Sequence, residues 1–455
     1  MKRSTRVAAL AVVVAAAAWL RLRGLGQPSF WLDEVLQFEI ADSAMRLPWW
    51  KWLTPFEAEH GPLFHLTEVA GRFLHSPEAS ARIAPALFGI AAVVLAPFAT
   101  RWIDRDASLP FAILIACSPL HVYYSREARP YAMLMLIALL LLSGRTMTAS
   151  LIAIWTSAVA IPILVAAALG FASTPHRKKA IPPALAAIAT LLLYRAGGMS
   201  SGPPLRGGTR LGREILESFS VVALDISGTH VIAFVFALFA ILGSIDLFRR
   251  NRGGAVVTIS LAFGTIAITL VALAYGHHWY AIRYLTPALP AYLFLVACGI
   301  RWSVSAIPND AAPAIASLLL IIPGLSAART EPFRKLPWRD IAATLRYHVI
   351  RNDLLMMTNE WSEVCLGFYL RKDPLPVYWF DAHESVAAAQ ETIEKIPRGW
   401  IVSAGFHQND TIVKWACRYP IFEQDDIENF RLHYVPSAED FTRTHNGPAP
   451  RLQCP

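Results

Sequence analysis

The fold turns on Val7–Leu20, an uncharged run of valine, alanine and leucine ending in Trp19-Leu20, and on Trp31-Leu32-Asp33-Glu34-Val35. The acid Asp33 lies thirteen residues after Leu20. Lys2, Arg3 and Arg6 precede the run and Arg21 and Arg23 follow it, as in a signal peptide. No small-residue cleavage site leads into a polar start, so an uncleaved first membrane span is expected. Two acids beside an interfacial tryptophan, where the chain leaves the bilayer, are costly unless they work. A carboxylate placed there can act as a base on a substrate held partly in lipid.

Working outward, the composition agrees with a membrane protein. Of the 455 residues 55% are hydrophobic and only 16% charged, which does not suit a set of soluble domains. Further apolar runs follow at Ile83–Thr100, Leu109–Tyr123, Tyr131–Leu142, Leu151–Phe171 and Ile181–Tyr194. Others are Val231–Phe248, Ala255–Tyr275, Leu285–Ile300 and Ala311–Leu325. Many approach the roughly 20 residues that cross a bilayer. The net charge of +8 sits largely on arginines in the short loops between runs. Positive residues there hold loops on the cytoplasmic side, and without a basic helix or an aromatic platform the charge does not indicate nucleic-acid binding.

Charge placement sets the topology. Arg101, Arg105, Arg145, Arg249, Arg250, Arg252 and Arg301 are expected to be cytoplasmic. As one span, Leu151–Phe171 would send His176-Arg177-Lys178-Lys179 outside. Pro162 near its middle suggests instead two short helices forming a hairpin, which returns the cluster to the cytoplasm. That gives about 11 membrane helices with the amino terminus inside and the carboxyl terminus outside. Residues 24–81 form the first outer loop, with amphipathic helices and the interfacial cluster Trp49-Trp50-Lys51-Trp52. Residues 1–327 then make a transmembrane catalytic domain. Residues 328–455, polar with Pro, His and acids throughout, make a small extracytoplasmic α/β domain. Within it Asp340–Val349 reads as a helix, and Leu354–Thr358 and Trp400–Ala404 read as strands. Cys117 and Cys298 lie in apolar runs and read as small hydrophobes; one disulfide among Cys365, Cys417 and Cys454 is open if the tail is outside.

The polar motifs fall on the outer face. Asp33 and Glu34 are adjacent and point about 100° apart on a helix, so one acid faces the site and the other holds structure. The plain alternative is a solvated helix cap. Glu59-His60-Gly61-Pro62-Leu63 opens a helix at Pro62 and leaves His60 as a phosphate or metal ligand, or as a simple interfacial histidine. Tyr123-Tyr124-Ser125-Arg126-Glu127-Ala128-Arg129-Pro130-Tyr131 sets two arginines among tyrosines at a membrane edge. Arginine suits phosphate because its planar fork makes paired bonds and stays charged; the alternative is an internal Arg–Glu pair in an aromatic belt. His277-His278-Trp279-Tyr280-Ala281-Ile282-Arg283-Tyr284-Leu285 adds Arg283. Its two adjacent histidines, without a carboxylate at fixed spacing, leave a divalent metal as an open alternative.

Taken in order, Trp31-Leu32-Asp33-Glu34, His60-Gly61-Pro62-Leu63, Arg82, the Tyr123–Ala132 stretch and Arg283-Tyr284-Leu285-Thr286-Pro287-Ala288-Leu289-Pro290 resemble glycosyltransferase family 39. That family includes dolichyl-phosphate-mannose protein mannosyltransferases and the aminoarabinose transferase of lipid A. The resemblance covers Met1 to about Leu325 and implies a GT-C fold with multi-pass placement in the bacterial inner membrane. It implies transfer of a sugar, with inversion, from a polyprenyl-phosphate carrier to an acceptor hydroxyl of a lipid, protein or polysaccharide on the outer side. By this likeness Asp33 is the catalytic base, and Glu34 beside it is the second candidate catalytic acid. Arg129 and Arg283, with Arg126, His60 and Tyr124, bind the donor phosphate. The chain departs from the pattern at His60-Gly61-Pro62, where many relatives carry two prolines, and at Glu59-His60, where the lipid A enzyme has an acid followed by lysine. Two rival readings are a transporter or lipid flippase and a non-catalytic envelope assembly protein. The first expects charges at mid-membrane depth, whereas here they gather at the edges.

Overall fold

The computed structural model describes residues 3–48, 51, 60–72, 74, 76–196, 230–276, 282–307, 309–327, 335–348, 354–357, 360–371, 374, 378–381, 399–404, 424–427 and 430–435. Trp49, Trp50, Trp52, Glu59, His277, His278, Cys417 and Cys454 lie outside these. The chain divides into two compact units, residues 1–26 with 37–334 and residues 27–36 with 335–455.

Among the described residues the first unit is helical. It begins with α1 (Arg3–Leu22) and the latter part of α2 (Leu32–Met45), followed by α3 (Pro62–Ala70) and α4 (Pro77–Ala99). Next come α5 (Ser108–Cys117), α6 (Pro119–Tyr124), α7 (Tyr131–Leu142), α8 (Thr146–Ile154), α9 (Ile161–Ala172) and α10 (Ile181–Ala196). After the undescribed stretch come α11 (His230–Arg250), α12 (Arg252–Ile259), a π turn at Ser260–Gly264, and α13 (Thr265–Gly276). A 3-10 segment, Ile282–Ala288, then leads into α14 (Leu289–Ser303), and α15 (Ala312–Ala327) closes the unit. Four described helices are long and apolar enough to cross a membrane: Ser4–Leu22, Pro77–Ala99, Arg252–Leu273 and Arg283–Ser303. On α10 Ile181, Leu185, Ile188 and Leu192 are each more than half exposed, a contiguous apolar face that suits lipid rather than water.

Local chemistry sets the breaks. Ser76 caps α4 by accepting from the Ala79 N–H at 3.3 Å, with Pro77 in the first turn. Pro119 cannot continue α5 and restricts Ser118 to an extended conformation, so the chain bends and restarts as α6. Leaving α1, the chain turns at Gly24, whose φ of +60° is open to glycine at little cost.

The hairpin expected within Leu151–Phe171 is present, but its break is elsewhere. Pro162 sits in the first turn of α9, where its fixed φ and missing N–H are harmless. The chain opens instead at Trp155–Ser157, because this segment pairs with another strand of chain. The Gly61 N–H donates to the Thr156 carbonyl at 2.9 Å, and the Leu63 N–H donates to the Trp155 carbonyl at 3.0 Å. An antiparallel bridge joins His60 and Ser157. Both feet of the hairpin meet Trp102. Its indole donates to the Leu142 carbonyl at 2.8 Å just before α8, and it stacks edge-on with His176 just after α9. With nine residues α8 is about 13 Å long, well short of the roughly 30 Å hydrocarbon core.

In the second unit α16 (Trp338–His348) packs on α17 (Glu360–Leu370). The strands are β1 (Leu354–Met357), β2 (Tyr378–Asp381), β3 (Gly399–Ala404), β4 (Gln424–Ile427) and β5 (Phe430–Val435), in the order β2-β1-β3-β5-β4. β1 runs parallel to β2 and β3, and the remaining pairs are antiparallel. Residues 27–36 are built into this unit. The Phe30 N–H donates to the Tyr369 hydroxyl at 2.6 Å, its ring meets Phe368 edge-on, and the Arg339 N–H donates to Ser29 Oγ at 3.1 Å. Cys365 is a buried free thiol here, while in the first unit Cys298 is buried and Cys117 partly buried, both free.

Candidate functional site

In the second unit the two adjacent acids have different surroundings. Glu34 is fully buried, and its Oε2 lies 2.6 Å from Nζ of Lys335. The same oxygen accepts from the Trp31 N–H at 3.4 Å, reaching back over the first turn of α2. Asp33 is partly exposed at the helix N-terminus, where the aligned peptide dipoles favour a carboxylate. Cys365 of α17 faces both acids. Burial first, then the charges of Glu34 and Asp33, push its thiol pKa up, so it stays protonated and inert at neutral pH.

In the first unit the tyrosines and two of the arginines converge. Arg129 is buried and lies over the Tyr131 ring, 5.9 Å from its centroid. Tyr131 stacks edge-on with Tyr124 at 5.1 Å, and Tyr124 with Tyr123 at the same distance. The 3-10 segment carrying Arg283 packs on α7, and its charge acts on the Tyr124 hydroxyl. Two guanidinium groups thus border one patch of tyrosines, an arrangement able to hold a phosphate with paired, charge-assisted bonds.

A buried polar chain continues from Arg129. Gln37, one turn beyond Asp33 on α2, sets its amide nitrogen 2.5 Å from His65 Nδ1 and 3.1 Å from Glu68 Oε2. A carboxylate only accepts, so the amide must present N–H to Glu68, and the same NH2 group donates to Nδ1 of His65. Burial first, then the nearby Arg129 charge, push the His65 pKa down to about 4; a bond to the His60 backbone opposes this. His65 is therefore neutral at physiological pH. The His60 ring is fully buried with Nδ1 3.2 Å from Ser157 Oγ, while that Oγ accepts from the Val159 N–H. Gly61 has no room for a side chain: a Cβ would collide with the Trp155 backbone and the Tyr194 hydroxyl.

Arg126 is occupied elsewhere. Its guanidinium donates to the carbonyls of Leu20, Arg21, Arg23 and Gly24 at 2.7–3.4 Å, closing the C-terminus of α1. In exchange Arg21, fully buried, donates to the Ile115 and Ala116 carbonyls at the end of α5 and meets His121 Nδ1 at 2.9 Å. The charge of Arg21 is thus spent on helix-end carbonyls rather than exposed to water. Sequence reading passes over Gln37, His65, Glu68, Ser157 and Lys335. The spacing of His65 and Glu68, three apart on one helix face, was the available signal; Lys335 had none. Among the described residues no group of three or more His, Cys, Asp or Glu side chains gathers as a metal-ligand set.

No family model matches this sequence, and no curated protein does. Several solved structures match, two of them along nearly its whole length. ArnT from Cupriavidus metallidurans in the apo state aligns with a TM-score of 0.58 at 15% identity, covering 93% of this chain and 97% of that one. The same protein bound to undecaprenyl phosphate aligns with a TM-score of 0.51 at 15% identity, covering 95% and 97%. The chain has an ArnT-like fold.

Proposed function

We propose that this chain is a multi-pass glycosyltransferase of the bacterial inner membrane that moves a sugar from a polyprenyl-phosphate carrier to an acceptor hydroxyl on the outer side, with inversion. The observation that carries the reading is the convergence of Arg129 and Arg283 on Tyr131 and Tyr124. The ArnT-like fold and the undecaprenyl phosphate held by the second solved structure support it.

In this reading the Asp33 carboxylate takes the proton of the acceptor hydroxyl as its oxygen attacks the anomeric carbon. The bond from that carbon to the carrier phosphate breaks on the opposite face, and the lipid phosphate leaves with the electron pair. Negative charge grows on the phosphate as the sugar departs, so fixed guanidinium groups stabilise the transition state more than the ground state. Arg129 and Arg283 are assigned that role, with Tyr124 and His60 as further phosphate-binding groups. Arg126 is assigned to holding the end of α1, and Glu34 to structure. The acceptor is a lipid, protein or polysaccharide hydroxyl. Residues 328–455 form a small α/β domain outside the membrane, beyond about 11 membrane helices.

The test is binding of undecaprenyl phosphate to purified protein and to its Arg129→Ala and Arg283→Ala forms. Each variant is expected to weaken binding by about tenfold or more, as for a lost charge-assisted contact. Unchanged affinity in both folded variants would remove this cluster as the phosphate site.

A further inference from the structure

At the end of the first unit where the feet of the α8–α9 hairpin lie, the chain turns meet around Trp102. The indole bonds the Leu142 carbonyl before α8, stacks on His176 before α10, and has the Lys179 ammonium 6.0 Å from its ring centroid. Lys179 also covers Gly144, at the turn into α8. Asn251, between α11 and α12, donates to the Trp102 and Ile103 carbonyls at 3.2 Å. Three turns with basic residues are therefore held against one exposed tryptophan.

Two acids at this end are turned inward, whereas Asp106 and Asp310 are exposed. The Asp104 side chain is 2% exposed and that of Asp246 8%. Both are bound by Arg250 and Arg301, with Arg250 2.6 Å from Asp104 and Arg301 3.1 Å from it. Asp106 pairs with Arg6 at 3.6 Å. Burial alone would raise the Asp104 pKa, but its bond to Arg250 and the charges of Arg301 and Arg250 outweigh this and lower it, so the network stays ionised and self-contained. Arg101, Arg145, Arg177, Lys178, Lys179 and Arg252 are all exposed, and none pairs with a carboxylate among the described residues. The lipid-facing stripe of α10 begins at Ile181, two residues after Lys179.

We propose that this basic rim around Trp102 binds the phosphate headgroup of an anionic glycerophospholipid, the acyl chains running along the apolar face of α10. Three features argue for a lipid over a soluble partner. The cations are continuous with an exposed apolar stripe, a part-exposed tryptophan of the kind favoured at the headgroup layer sits among them, and the buried Asp104 and Asp246 cannot compete for them. The positive-inside rule explains why such residues stay on one side, but not why Asp104 and Asp246 are sequestered.

The experiment uses the full-length protein, purified in mild detergent and exchanged into nanodiscs of phosphatidylcholine with or without phosphatidylglycerol. Retained lipids are counted by native mass spectrometry. Phosphatidylglycerol is expected to be retained over phosphatidylcholine. The preference should fall by about fivefold for each rim charge removed, so that an Arg177→Gln, Lys178→Gln, Lys179→Gln triple variant largely loses it. Replacing both lysines with arginine should keep it. Inorganic phosphate at millimolar concentration should not displace the lipid, since it lacks the chains. Equal retention of the two lipids, or an unchanged preference in a triple variant with wild-type melting behaviour, would overturn the proposal. So would displacement by inorganic phosphate alone.

Discussion

At the scale of single residues, the neighbours of Asp33 and Glu34 separate two acids that look alike in sequence. Glu34 is fully buried beside Lys335 and bonded back to Trp31, whereas Asp33 remains partly exposed. Breaking a buried ion pair by removing one partner costs about 3–5 kcal/mol, but replacing both partners is close to neutral. Glu34→Gln and Lys335→Met are therefore each expected to lower the unfolding midpoint, and the double variant to regain most of it, as a thermal melt will show. Arg126 offers a second contrast. Arg126→Ala should destabilise the fold by on the order of 2 kcal/mol through the lost bonds to the end of α1, while Arg129→Ala should weaken donor binding more than it shifts the melt. The sequence singled out Asp33, Arg129 and Arg283 as candidates because charge flanking apolar runs is conspicuous. It could not separate Arg126 from Arg129, since helix-end carbonyls and phosphate attract the same guanidinium. Nor could it foresee Lys335, whose partner is some 300 residues away.

Between elements, α3 and the tip of the α8–α9 hairpin are joined by backbone bonds at His60–Leu63 and by His60 with Ser157, while His65 and Glu68 tie α3 to Gln37 of α2. The neutrality of His65 has a pH consequence. Its folded pKa of about 4 lies below the ordinary value near 6.5, so the unfolded chain binds the proton more readily. The contribution to stability is full above about pH 6.5 and is lost as pH falls toward 4, at up to roughly 1.4 kcal/mol per pH unit. His65→Asn should flatten that part of the melting-temperature profile. At Gly61 an alanine should force the Trp155–Ser157 strand away from α3, lowering the melting temperature and donor affinity together. A break inside Leu151–Phe171 was legible from the charge rule, since one span would have misplaced His176–Lys179. Its position was not, because Pro162 is the obvious helix breaker and the true cause, pairing with His60–Leu63, lies outside the local sequence.

For the whole molecule, the ArnT-like fold was readable from five weak motifs in order, although identity to the solved structures is only 15%. Hydropathy and the positive-inside rule carry that much information because lipid admits so few ways to satisfy a backbone. Donor sugar and acceptor stayed illegible, as scattered hydrogen bonds leave no motif. The division into two units, with residues 27–36 joined to the C-terminal part, was also hidden, since it depends on contacts such as Phe30 with Tyr369. The central claim is that Asp33 is the base of a polyprenyl-phosphate-dependent transfer. The most direct measurement is transfer of radiolabelled sugar from a panel of polyprenyl-phosphate sugars in membranes carrying the protein or its Asp33→Asn form. The account predicts transfer or donor hydrolysis from at least one sugar, reduced by about 100-fold or more in the variant at equal protein level. Equal signals in the two forms, or silence across the panel with folded protein present, would contradict it.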